Sequence, residues 1–241
     1  MYILIKTKTI PNIFTLFNLF CGCVSIILLQ YKNFNYSAIF TLFSIIFDFL
    51  DGFFSRLIKN KNLFGKELDS LADMVSFGVV PSIIVFFLLE KKIMIPFIEY
   101  SSFLISIFSA LRLAEFNVTP RKNNYVIGLT TPVNTLFFSS LSIVITNHTI
   151  FFIDKKIINI YIITMFLMIL LSCYLLISKI TMLSFHFENF SWKKNKIRYV
   201  FLLISTFLLL TLHITALPCI VIFYIITSIY FHNTLKKKIH N

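Results

Sequence analysis

Long apolar runs follow one another almost end to end along this chain, broken only by short polar stretches where Lys, Arg, Asn and Pro collect. Measured against about 20 mostly apolar residues per membrane span, eight runs qualify: 13–31, 37–58, 75–89, 94–113, 128–146, 158–177, 199–212 and 214–231. The third and the last two are short or closely joined, so their ends are soft. The pattern predicts an all-α integral membrane protein of about eight transmembrane helices. No soluble domain is left over, and residues 1–241 are expected to form one membrane domain.

The placement of cations orients that bundle. With the N-terminus on the cytoplasmic side, seventeen basic residues fall there, in groups around Lys6, Arg56, Arg112, Lys179 to Arg198, and Lys236. Only five, Lys32, Lys91, Lys92, Lys155 and Lys156, fall on the other side. An error in the middle of the count would erase this asymmetry, so the positive-inside rule predicts that both termini are cytoplasmic. The segment "HFENFSWKKNKIRY" around Trp192 reads as an interfacial belt on that side.

Composition agrees: 58% of residues are hydrophobic, 13% charged, and the mean hydropathy is +0.87. A net charge of +12 would suit a nucleic-acid binder, but these cations sit beside apolar runs, so the expected partner is the bilayer and no nucleic acid. The four cysteines lie in apolar segments, and Cys21-Gly-Cys23 has no His or carboxylate nearby to complete a metal site. They read as packing residues. No small-residue cleavage site follows "MYILIKTKTIPN", so a cleaved signal peptide is not expected.

One stretch breaks the apolar pattern. "FDFLDGFFSRLIKNKNLFGKELDSLAD" gathers Asp48, Asp51, Asp69 and Asp73 in a chain with only ten acids. An ionised aspartate near a helix centre costs about 2.5 to 3.5 kcal/mol to insert, so something must offset these. At about 100° per residue, Asp48, Asp51, Gly52, Ser55 and Arg56 fall within an arc of about 140°. Asp69 and Asp73, four residues apart, share a face of the next helix. Four facing carboxylates repel unless cations neutralise them, and Arg56 alone is too little. Oxygen ligands suit hard divalent ions, so the arrangement predicts one or two Mg²⁺ or Mn²⁺.

These residues carry a resemblance. The spacing Asp-x2-Asp-Gly-x2-Ala-Arg-x8-Gly-x3-Asp-x3-Asp marks the CDP-alcohol phosphatidyltransferases, and this chain meets it with Asp48, Asp51, Gly52, Ser55, Arg56, Gly65, Asp69 and Asp73. Ser55 stands where the family usually has Ala. "PNIFTLFNLFCGCVSI", "ELDSLADMVSFGVVPS", "SALRLAEFNV" and "GLTTP" further resemble stretches of the membrane-bound phosphatidylserine synthases, over roughly the first 135 residues; the Gly-Leu-Pro usual there is Gly-Leu-Thr here.

The resemblance implies a catalytic core at 11–135, additional transmembrane helices at 136–241, and an active site near the cytoplasmic face. The implied reaction transfers a phosphatidyl group from CDP-diacylglycerol to the hydroxyl of L-serine. By the same resemblance Asp48, Asp51, Asp69 and Asp73 hold two metal ions, and Asp73 also acts as general base. Asn12, Thr15, Gly52, Ser55 and Arg56 would surround the cytidine diphosphate. A homodimer in the bacterial cytoplasmic membrane is expected. Arg112, at the cytoplasmic end of its span, is a candidate contact to lipid phosphate or serine carboxylate, and Asn117 a candidate hydrogen-bonding residue for substrate.

Two alternatives stay open at this point. Charge counting does not exclude another acceptor, such as glycerol 3-phosphate, inositol phosphate or choline. Intramembrane aspartates also mark cation-coupled transporters, although the acids here lie at one level instead of forming a relay.

Overall fold

The computed structural model describes residues 10–58, 63–90, 97–118, 126–147, 155–183 and 192–240. Helix α1 (Ile10–Gln30) and α2 (Phe34–Leu57) form a tightly packed hairpin. Pro11 sits in the first turn of α1, where its missing N–H has no intrahelical partner to lose. Asn33 begins α2, its side chain accepting from the Tyr36 N–H at 3.3 Å. Then come α3 (Leu63–Asp73), a π-helical stretch (Met74–Val79) and α4 (Val80–Glu90), which run on as one helical segment. A 3-10 segment (Ile98–Phe103) leads into α5 (Leu104–Val118). Helices α6 (Thr131–Asn147), α7 (Lys155–Ile177), α8 (Trp192–Leu212) and α9 (Ala216–His240) complete the described elements. Two short strands, β1 (Val126–Ile127) and β2 (Thr181–Met182), pair antiparallel and are the departure from an all-helical chain.

The first two helices bury mainly small and polar residues and expose apolar ones, whereas α4 buries Val80, Ile84, Val85, Leu88 and Leu89 in an apolar core. Buried positions of α1 are Asn12, Thr15, Asn18, Cys21, Gly22, Ser25 and Leu29, whereas Ile13, Phe17, Phe20 and Ile27 are exposed. In α2 the buried set is Ser37, Ala38, Thr41, Ser44 and Asp51. In water that distribution would be unstable; in hydrocarbon it is expected, because lipid solvates Phe and Ile while small residues let backbones approach and polar groups pair with one another. Ser25 Oγ does this at the hairpin, lying 2.7 Å from Ser37 Oγ and 3.0 Å from Thr41 Oγ1.

Six segments are long and apolar enough to cross a bilayer: Ile10–Gln30, Phe34–Leu57, Leu63–Glu90, Ile98–Val118, Ile157–Ile177 and Asn195–Asn233. The difference from the expected eight lies in two places. Helix α6, with 17 residues, falls just short of the length ruler. The 39-residue stretch Asn195–Asn233 combines two predicted spans, α8 and α9, across a 3-10 turn at His213–Thr215 where His213 has φ 50°. Those two helices fold back on each other: Phe201 stacks on Phe223 at 5.5 Å and meets Tyr224 edge-on at 6.0 Å. The loops holding Lys59, Lys61, Lys91, Lys92, Arg121 and Lys122, and most of the interfacial segment before Trp192, lie outside the described residues.

The π stretch is the hub of the bundle, touched by α1, α5 and α6. Pro81 explains it. A proline has no N–H to return to the carbonyl four residues back and its ring crowds that carbonyl, so the helix widens and Val80 N–H bonds to Val75 O instead. The carbonyl that Pro81 frees finds a side chain, Thr135 Oγ1 donating to Phe77 O at 3.1 Å, and the next carbonyl, Gly78 O, accepts from Ser82 and Ser106 at 2.9 and 3.0 Å.

Close approach of α1 to this hub depends on Gly22. A methyl group added there would overlap Ser76 Oγ and lie 3.0 Å from the Ser76 Cα. Gly22→Ala is therefore expected to destabilise the fold by about 1 to 3 kcal/mol, the usual cost of overpacking. Thermal unfolding of the solubilised protein measures it, and an unchanged Tm would mean that the interface yields freely.

Candidate active site

The end of α2, the end of α3 and the start of α1 meet at one end of the bundle, and the four aspartates face one another there. One carboxylate oxygen from each of Asp48, Asp51 and Asp69 lies within 4.8 Å of the others. Asp73 joins from the last turn of α3, buried, with its carboxyl group close enough to Asp48 for the two to share a hydrogen bond. Helical geometry does the gathering. Asp48 and Asp51 are three residues apart, Asp69 and Asp73 four apart, so each pair projects from one face.

Neighbouring helices supply neutral donors. Thr15 Oγ1 lies 2.7 Å from Asp51 Oδ2 and 3.1 Å from Pro11 O, and its hydroxyl donates to both. Asn18 Nδ2 donates to Asp73 Oδ1 at 3.1 Å. Ser44 Oγ donates to Asn18 O at 2.9 Å and to Asn18 Oδ1, and Ser76 Oγ donates to Asn18 O at 3.1 Å. Arg56, on the same helix as Asp48 and Asp51, is exposed. The salt bridge Lys32–Glu90, at 3.0 Å, joins the α1–α2 turn to the end of α4, far along the helices from this cluster.

The donor set fits a divalent cation. Oxygens around one Mg²⁺ at about 2.0 to 2.1 Å can be no more than about 4.2 Å apart. A trio within 4.8 Å needs only a slight contraction to close on an ion. Three carboxylates converging in an apolar bundle are a poor arrangement without a cation between them.

Other residues singled out by sequence divide between this cluster and its surroundings. Asn12 is 6% exposed, and its Nδ2 has no partner among the described residues. Gly52 has open space beyond its Cα, with no atom within 4 Å of an added Cβ, so helix packing is not what requires a glycine there. Ser55 is half-buried beside it. Arg112 is found at another junction, where its Nη1 donates to Ile127 O at 3.2 Å and Leu176 O at 2.9 Å. It thereby joins β1 to the end of α7, a favourable place for a cation because helix C-terminal carbonyls carry partial negative charge. The left-handed Gly128, φ 71°, makes room for that guanidinium, since an added Cβ would lie 2.7 Å from Nη1. Asn117 ties α5 to the carboxylate helix: its Nδ2 donates to Ser70 Oγ at 2.8 Å, and its carbonyl accepts from Lys66 Nζ at 2.6 Å.

Asn18, Ser44 and Ser76 were not distinguished by sequence. A hydroxyl or amide inside a span is common enough to pass as ordinary packing. The available signal was their position: Asn18 follows Thr15 by three residues and so shares its face.

A helical membrane protein with a carboxylate-lined, polar centre at one end of its bundle is thus the class that the fold and site define. The family model described as CDP-alcohol phosphatidyltransferase matches residues 8–184, and the chain belongs to that family of transferases. That span holds all four aspartates and continues past the quoted motifs through α7. The chain is similar to the CDP-diacylglycerol–serine O-phosphatidyltransferase of Bacillus subtilis, 34% identical over 141 residues, or 58% of this chain and 76% of that protein. It is also similar to proteins of the same name from Methanocaldococcus jannaschii, 33% identical over 150 residues (62% of this chain, 68% of that one), and from Helicobacter pylori, 38% identical over 109 residues (45% and 46%).

Proposed function

We propose that this protein transfers the phosphatidyl group of CDP-diacylglycerol to the hydroxyl of L-serine, giving phosphatidylserine and CMP. The observation that carries the reading is the convergence of Asp48, Asp51 and Asp69 on one point beside Asp73, in a family whose substrates carry a diphosphate. Two divalent ions, Mg²⁺ or Mn²⁺, held by these aspartates would neutralise charge on that diphosphate and on the departing CMP. Asp73 takes the proton of the serine hydroxyl as its oxygen bonds to phosphorus; the bond to CMP breaks and its electron pair leaves with CMP.

Asn12, Thr15, Gly52, Ser55 and Arg56 surround the cytidine diphosphate in this reading. The buried Nδ2 of Asn12 is a donor ready for a ligand acceptor, and Gly52 leaves room for one. Thr15 has a second duty, holding Asp51. For Arg112, the nitrogens other than Nη1 supply the contact to lipid phosphate or serine carboxylate, and Asn117 assists by its amide oxygen, which is buried without a partner among the described residues.

Serine is favoured over the other alcohols by the three relatives named above. An acceptor panel tests this directly: radiolabelled CDP-diacylglycerol is offered with serine, glycerol 3-phosphate, inositol phosphate or choline. Phosphatidylserine is the expected lipid product; another product formed faster would reassign the acceptor.

The proposed setting is a bacterial cytoplasmic membrane with the site and both termini on the cytoplasmic side, eight spans in all, supported by the seventeen-to-five distribution of cations. A cysteine placed at Lys236 in a cysteine-free background should react with an impermeant maleimide only after the membrane is opened. Labelling of intact cells would reverse the topology. A homodimer is proposed as well, with the mass of the detergent-solubilised protein as its test.

A further inference from the structure

Asn18 is fully buried, 0% exposed, on the face of α1 that meets both α2 and the π stretch. An amide in such a place must be satisfied at both ends, and here each end has a defined partner. Ser44 Oγ donates to Oδ1 of Asn18 as well as to its main-chain oxygen, to which Ser76 Oγ also donates at 3.1 Å. With Oδ1 receiving a hydroxyl proton, the NH₂ group is the end that faces Asp73, and it donates to Oδ1 of that carboxylate at 3.1 Å. Ser44 comes from α2, Ser76 from the π stretch, and Asn18 from α1. Three elements therefore converge to fix one amide, and that amide meets one oxygen of one aspartate.

We infer that Asn18 is a positioning residue for Asp73: its amide donates to Oδ1 and holds the orientation of the carboxylate that receives the acceptor's proton. Ser44 acts through Asn18 by setting which way its amide points. This rests on the reading of Asp73 as proton acceptor given above. A carboxylate free to turn about its Cβ–Cγ bond would spend part of its time with neither oxygen aligned, and misalignment at a reacting group lowers turnover without weakening substrate binding.

The test is a kinetic cycle on the full chain with CDP-diacylglycerol, serine and saturating Mg²⁺. Asn18→Leu keeps the volume and removes both partners; it is expected to lower kcat roughly ten- to a hundredfold, the worth of a hydrogen bond to a charged group. The KM for CDP-diacylglycerol should stay within about twofold, as for an interaction made in the transition state. Ser44→Ala should cost less, and nothing further once Asn18 is Leu.

Turnover of Asn18→Leu equal to the unsubstituted protein, or a Ser44→Ala cost that is the same in both backgrounds, would each overturn the inference. If Asn18→Leu does not accumulate as folded protein, Ser44→Ala decides alone: a lower kcat at unchanged Tm and KM supports it, and an unchanged kcat refutes it. Asp73→Asn run in parallel separates the two readings. Should Mg²⁺ rescue Asp73→Asn, the proton-acceptor role falls, and Asn18→Leu in that background reads positioning by itself: no added loss supports it, added loss refutes it.

Discussion

Asp73→Asn is expected to lower turnover by roughly 10² to 10⁴, the usual worth of a general base, while CDP-diacylglycerol still binds. The substitution keeps the size of the side chain and one oxygen that can bind a metal, and it removes the basic site. Asp48→Asn is the control. Its carboxylate belongs to the trio within 4.8 Å, so its loss should appear as weaker metal binding, and raising Mg²⁺ or Mn²⁺ should restore part of the rate. A metal titration of turnover in both variants separates the roles. Equal rescue of both would leave Asp73 a ligand only.

Removal of metal should abolish activity altogether. The carboxylates of Asp48, Asp51, Asp69 and Asp73 lie at one end of an apolar bundle. A substrate diphosphate entering that space adds further negative charge, so without cations the complex is unfavourable before any bond changes. Chelation with EDTA, checked by elemental analysis of the protein, should bring turnover to background, and added Mg²⁺ or Mn²⁺ should restore it. Full turnover in metal-free protein would contradict the reading of the four aspartates as ligands.

The carboxylate cluster was legible in sequence for a definite physical reason. Charges in a span are costly, so Asp48, Asp51, Asp69 and Asp73 stand out against Phe and Ile, and fixed helical spacings assign each to a face. Asn18 offered no such contrast. Its importance follows from Ser44, 26 residues away, and Asp73, 55 residues away, and no local pattern relates these positions. The predicted span at 75–89 began after the aspartates, whereas the structure carries one helical segment through Asp73 into Glu90. The cause of its π turn, Pro81, is visible in the chain, but a proline in a span equally suits a kink, and only Thr135 reveals where the freed carbonyl of Phe77 goes. The role of Arg112 at β1 was hidden in the same way, because a two-residue strand paired over more than fifty positions has no periodic signal. Span ends differed by a few residues for a simpler reason: helices such as α7, which starts at Lys155, run on into their polar flanks, so the edge of apolarity is not the edge of the helix.

The most direct measurement of the central claim is release of CMP by purified protein supplied with CDP-diacylglycerol, Mg²⁺ or Mn²⁺ and increasing serine. CMP is expected to rise with serine and to match phosphatidylserine mole for mole. No CMP, or CMP released at a rate indifferent to serine, would contradict phosphatidyl transfer to that acceptor.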